Sequence, residues 1–255
     1  MFMIETENLT KRYGNLTAVE HLNLRVKAGE LFGFLGPNGA GKTTTIKLLV
    51  GLLRPSAGVA RIGGYDVQHD ALKAKSLVGF VPDNPYLYEK LTAREFLRFM
   101  ADLYGVDPER AARRGEDLLR LLDLDDRGDE LIQSYSHGMR QKTALAGALI
   151  HDPQVFFLDE PTVGLDPKSA RLIKDILRQL CDRGMTVFMS THILEIAERM
   201  CDRVGIINEG QLVACGTMEE LRSGTGGAGS ASLEDIFLRL TGGAEYEELA
   251  HYLSE

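Results

Sequence analysis

The chain has 255 residues, 44% of them hydrophobic and 26% charged, with a formal net charge of −8. That size and balance fit one large α/β domain or two small lobes with a sizeable core, and the acidic sum argues against nucleic acid as a partner. Cys181, Cys201 and Cys215 show no Cys-x-x-Cys spacing, so neither a disulfide framework nor a zinc site is expected, and a reduced, cytoplasmic chain is.

In chain order, the start Met1-Phe2-Met3-Ile4-Glu5 lacks the basic and apolar pattern of a secretion signal. No later run approaches the ~18 apolar residues of a membrane span. Leu22, Leu24 and Val26 alternate with polar neighbours, the period of a half-buried strand. Leu31-Phe32-Gly33-Phe34-Leu35 is apolar throughout and leads through a glycine-rich loop into an apolar helix over residues 43–53. Strands follow near 58–62 and 77–81.

Thr92 and Glu95 have capping-box spacing and open a helix that Gly105 stops; Asp107-Pro108 starts another, closed by an acidic loop over 123–129. A helix over 143–150, a buried strand at Val155-Phe156-Phe157-Leu158, a helix over 168–182 and a strand over 186–189 then alternate. Such alternation predicts a mainly parallel sheet with helices on its faces. Val204 to Val213, broken by Asn208-Glu209-Gly210, reads as a hairpin. Residues 223–232 are a Gly/Ser-rich linker by composition, and a tail over 233–255 opens with a short amphipathic helix.

Gly36-Pro37-Asn38-Gly39-Ala40-Gly41-Lys42-Thr43 fits the phosphate-loop pattern Gly-x-x-x-x-Gly-Lys-Ser/Thr between a buried strand and a helix, and Thr44 follows. The glycines let backbone N–H groups turn toward phosphates, and the helix start adds a favourable dipole. Lys42 can reach the β- and γ-phosphates of a nucleotide, and the Thr43 hydroxyl can ligate Mg²⁺; the loop alone does not separate a kinase from a GTPase or an ATPase. Asp159 and Glu160 end a buried strand, the edge at which parallel sheets bind ligands. Asp159 suits the Mg²⁺ shell and Glu160 suits polarisation of an attacking water; alone, such a pair is more often a helix cap or a solvated turn, and the phosphate loop beside it favours the functional reading.

Tyr135-Ser136-His137-Gly138-Met139-Arg140-Gln141 precedes an apolar helix and then the Asp159 strand. In this order it resembles the signature sequence of ABC transporter ATPases, in the Tyr-Ser-x-Gly-Met form of bacterial exporters. Gly164-Leu165-Asp166-Pro167 resembles the D-loop of that family, Ser190-Thr191-His192 its switch histidine, and Lys11-Arg12-Tyr13-Gly14 its adenine-stacking aromatic loop. The resemblance spans roughly residues 3 to 220. It implies a P-loop NTPase with a RecA-like parallel-sheet core, an N-terminal antiparallel β portion and an inserted helical lobe near 84–150, all within an ATPase domain of residues 1–222.

It further implies Mg²⁺-dependent ATP hydrolysis with Glu160 as general base, Lys42 on the phosphates and His192 as γ-phosphate sensor. Ser136, His137, Gly138 and Met139 would serve an ATP site on the other subunit of a homodimer or heterodimer, with Asp166 in the D-loop between them. The motor would drive a membrane-spanning permease on a separate chain, for export, from the inner face of the membrane. Tyr13 could instead be a core aromatic, and His137 either an exposed helix-start residue or a titratable group near the phosphate. Asp83 stands where family members usually carry Gln beside the metal, and is a candidate ligand. A soluble ABC ATPase outside transport, or a module that uses ATP only to dimerise, are the alternatives.

Overall fold

The computed structural model describes residues 1–224 and 231–242; residues 225–230 of the expected linker and 243–255 of the expected tail lie outside the described residues. The chain opens with β1 (Phe2–Tyr13), β2 (Leu16–Lys27), β3 (Leu31–Leu35), α1 (Lys42–Leu49), β4 (Ala57–Ile62), β5 (Tyr65–Asp66), α2 (Ala71–Ser76) and β6 (Val78–Val81). Helices α3 (Ala93–Leu103), α4 (Pro108–Leu121) and α5 (His137–Leu149) follow, then β7 (Val155–Asp159), α6 (Pro167–Asp182) and β8 (Thr186–Thr191). Last come α7 (Leu194–Met200), β9 (Arg203–Asn208), β10 (Gln211–Gly216), α8 (Met218–Gly224) and α9 (Leu233–Thr241).

These strands make two sheets. An antiparallel sheet runs β2-β1-β4-β5, and a six-stranded one runs β10-β9-β3-β8-β7-β6, parallel except for β10 at its edge. The central strands β3, β7 and β8 are buried at every residue, as strands covered on both faces must be. Alternate side chains divide between two cores. Phe32, Phe34, Phe157 and Phe188 pack with α1 and the antiparallel sheet, while Leu31, Phe156, Leu158, Val187 and Met189 pack with α5 and α6. The three ring pairs of Phe188 have centroids 5.3–5.5 Å apart.

Several boundaries differ from the sequence expectation. The helix expected over 43–53 stops at Leu49, because Gly51 takes φ +69° and the Leu52 N–H returns to the Lys47 carbonyl, a glycine C-cap. The helix expected from residue 143 begins at His137, where the Ser136 hydroxyl accepts the Met139 N–H at 3.3 Å. Ser223 and Gly224 belong to α8 rather than to a linker. The short elements β5, α2, α7 and α8 carry no periodicity long enough to announce them. The capping box of α3 forms as expected, with Thr92 and Glu95 bonded reciprocally.

Candidate active site

The phosphate loop joins β3 to α1, and tight backbone packing dictates its glycines. Gly41 has φ +109°, and a Cβ there would lie 2.4 Å from the Ala18 carbonyl; one at Gly36 would lie 2.4 Å from that of Ile207. Only glycine fits such contacts. Lys42 is buried, and its Nζ donates to the carbonyls of Gly36 (2.7 Å) and Pro37 (3.2 Å). Burial lowers the pKa of the ammonium, while the charges of Glu160 and Asp159 oppose that shift. The two carboxylates facing it thus favour the charged form of Lys42 against the cost of burial.

Both carboxylates stand at the end of β7. The Thr43 hydroxyl donates to Asp159 Oδ2 at 2.8 Å, and the Ser190 hydroxyl on β8 makes a very short bond to Oδ1. Asp159 is thus buried and held through both oxygens. Glu160 leaves the strand with φ +51° while its N–H still reaches the Ser190 carbonyl at 3.1 Å. Its carboxylate accepts the His192 N–H at 3.3 Å and meets His192 Nδ1 at 2.9 Å. Ser190 was not singled out as a site residue from sequence; only the parallel pairing of Asp159 with Ser190 reveals it.

These groups border a cavity of about 370 Å³ lined by Tyr13, Pro37, Asn38, Gly39, Gly41, Lys42, Thr43, Thr44, Asp83, Asp159 and Glu160. Gly36 and Ala40 are buried within the loop itself. Tyr13 is 47% exposed at the end of β1, with the Lys11 ammonium 5.0 Å from its ring centre, so it is not a core aromatic. Leu16 and Ala18, unremarked in the sequence, line the same wall. Asp83 is exposed on the rim, its carboxylate accepting from the Asn84 amide at 3.0 Å.

Ser136, His137, Gly138 and Met139 do not line this cavity. They form the start of α5, where His137 is exposed and its ring abuts Gly164: a Cβ at Gly164 would lie 3.2 Å from Nε2. Asp166 caps α6 by accepting the Ser169 N–H at 3.0 Å, and bonding from Ser169 lowers the pKa of its carboxyl.

Residues 19–163, more than half of the chain, match the family described as ABC transporter. The chain is 41% identical over 225 residues to the linearmycin resistance ATP-binding protein LnrL of Bacillus subtilis, covering 88% of this chain and 72% of that one. It is 42% identical over 218 residues to the Nod factor export ATP-binding protein I of Burkholderia orbicola, covering 86% and 72%. An ATP-binding subunit of an ABC transporter superposes with a TM-score of 0.88 at 34% identity, over 93% of this chain and 99% of that one. A dimeric ATP-binding cassette in a post-hydrolysis state with ADP and phosphate gives a TM-score of 0.77 at 26% identity, over 84% and 98%. These likenesses in sequence and in fold show that the chain belongs to the ABC transporter family as an ATP-binding, ATP-hydrolysing subunit.

Proposed function

We propose that two such subunits close around Mg-ATP, that Glu160 activates the hydrolytic water, and that the closure drives export through a membrane-spanning permease on a separate chain. The observation that carries this reading is the meeting of four groups at one sheet edge: Thr43 with Asp159, and Glu160 with His192. Glu160 would take a proton from water, and His192, bonded to the same carboxylate, would orient it and sense the γ-phosphate. Lys42 and the loop N–H groups hold the phosphate oxygens where negative charge develops.

The donor set fits Mg²⁺. Among the described residues no cluster of three or more His, Cys, Asp or Glu could cage a metal, and Mg²⁺ needs none, because it takes one or two carboxylates together with phosphate oxygens and water. Thr43 and Asp159 would hold it, with Asp83 as an additional oxygen from the rim, and the ion would neutralise charge on the phosphates. The start of α5 lies outside the cavity, which supports completion of the site by Ser136 and Gly138 of a second subunit.

The permease reading draws on a second surface. A groove of about 440 Å³ is lined by Leu52, Phe80, Tyr86, Tyr88, Met100 and Tyr104, and Tyr86 is 98% exposed. Exposed apolar grooves of this kind mark partner surfaces. Pro82 is among its lining residues and precedes Asp83 of the nucleotide cavity, so a partner seated there would sit near the ATP site. We take residues 1–222 as the ATPase domain, with 84–150 as the helical lobe presenting this groove. No helix among the described residues is long and apolar enough to cross a membrane, so attachment to the inner membrane face would come through the permease. Fractionation tests this: the chain should pellet with membranes when co-expressed with its permease and be released when the permease is absent. Salt-resistant membrane attachment of the lone chain would contradict it.

A further inference from the structure

Gln141 is only 2% exposed, yet neither its amide nitrogen nor its amide oxygen has a hydrogen-bond partner among the described residues. Buried side-chain amides are nearly always satisfied, and one left unpaired at both ends calls for an explanation. Its location supplies one. Residues three and four apart share a helix face, so Gln141 continues the face that begins with His137 and Gly138.

That face rests on the loop following Glu160. The His137 ring abuts Gly164, and a Cβ at Gly138 would lie 3.6 Å from Leu165 Cδ2. The loop is a pair of loose turns, Val163 N–H to the Glu160 carbonyl at 3.3 Å and Leu165 N–H to that of Thr162 at 3.4 Å. The carbonyls of Pro161, Val163 and Gly164 accept no hydrogen bond from the described residues. The other side of the helix is already fixed, since Arg140 binds Glu89 at 2.6 Å and the carbonyls of Tyr135 and Gln133. The face of α5 that carries the unpaired amide thus also carries the residues that touch this loop, and the amide gains a partner if the loop settles on α5.

We propose that Gln141 is a positioning residue for hydrolysis: its amide holds the loop after Glu160 against α5, directly or through one water, and so fixes the Glu160 carboxylate toward the nucleotide. This rests on the role proposed above for Glu160. An amide kept at a buried site for function, rather than for stability, leaves a particular signature. Replacing it by an apolar group of similar volume relieves the unsatisfied burial and stabilises the fold, while activity falls.

The test uses Gln141→Met and Gln141→Leu of the full chain, the unbranched Met guarding against a packing failure of Leu. Thermal midpoint, steady-state ATPase kinetics and hydrogen exchange of the peptide spanning residues 160–166 would be measured together. The expected result is a raised midpoint, kcat lowered about 10- to 100-fold at unchanged KM for ATP, and faster exchange confined to that peptide. A raised midpoint with unchanged kcat and exchange would show the amide to be idle and overturn the proposal. A lowered midpoint with faster exchange throughout α5 would show an ordinary structural bond and overturn it equally. If the wild-type chain itself shows no ATPase activity, the role of Glu160 fails, and the midpoint and exchange arms still decide whether Gln141 holds the loop.

Discussion

His192 Nδ1 lies 2.9 Å from Glu160 Oε1, and the same carboxylate accepts the His192 backbone N–H at 3.3 Å. The two residues directly follow the ends of the adjacent parallel strands β7 and β8, so the sheet brings imidazole and carboxylate together. Because misplacing a catalytic group by about 1 Å can cost about 10²-fold, His192→Ala should lower kcat roughly a hundredfold. Binding of a fluorescent ATP analogue should change little, since Lys42 and the loop remain. A large loss of nucleotide affinity with kcat preserved would assign His192 to binding instead.

The phosphate loop offers an internal comparison. Gly39 has φ +83° with nothing near a prospective Cβ, whereas Gly41 has φ +109° and a backbone oxygen 2.4 Å away. Gly39→Ala should therefore cost only the left-handed backbone strain, about 1–2 kcal/mol, visible as a shift of the denaturation midpoint with nucleotide binding retained. Gly41→Ala must displace the loop from Ala18 and should abolish nucleotide binding, as calorimetric titration with Mg-ATP would reveal.

Asp83 gives a prediction about metal. Two unit charges ~4 Å apart interact by about 4 kcal/mol at an effective dielectric near 20, and solvent at this exposed rim position reduces that figure. If Asp83 enters the Mg²⁺ shell, Asp83→Asn and Asp83→Ala should need several-fold more free Mg²⁺ for half-maximal ATPase activity. Asp83→Gln should raise the maximal rate. Superimposable Mg²⁺ titrations of all four proteins would leave Asp83 as a surface residue near the apolar groove.

A half-buried histidine joins Tyr104, just past α3, to the core sheet. The His151 ring stacks on Tyr104 at 3.7 Å, and its Nε2 bonds the Val78 carbonyl on β6 at 3.0 Å. Arg114 on α4 and Asp152 face the same corner, themselves paired at 2.8 Å. Burial pushes the His151 pKa below its ordinary value of 6.5, with Arg114 adding to the shift. A folded-state pKa below the unfolded one means that protons bind the unfolded chain more tightly. The stabilisation is thus complete above about pH 6.5 and is lost as pH falls toward the folded-state pKa. His151→Phe keeps the stack and should flatten this part of the midpoint-against-pH curve between pH 7 and 5; an unchanged slope would contradict the assignment.

Much of this site was legible from the sequence because local chemistry fixes it. A strand that must be buried on both faces, a loop that only glycine can trace and a helix start together locate Lys42 and Thr43, and a second buried strand locates Asp159 and Glu160. What stayed hidden depends on tertiary contact. The bond from Ser190 to Asp159 exists only through the register of β7 on β8. The unpaired amide of Gln141 is a property of burial, which its polar side chain does not suggest. Helix α5 starts at His137 because Ser136 caps it; the apolar run alone pointed to a start six residues later.

The most direct test of the shared, hydrolysing site is the Glu160→Gln variant, which keeps the shape of the side chain and removes the base. Size-exclusion chromatography with light scattering, run at saturating Mg-ATP, should show a dimer that reverts to monomer when Ser136→Arg is added, and turnover should fall at least a hundredfold. A Glu160→Gln chain that stays monomeric with Mg-ATP and hydrolyses it at the wild-type rate would contradict both the role of Glu160 and the closure of two subunits around the nucleotide.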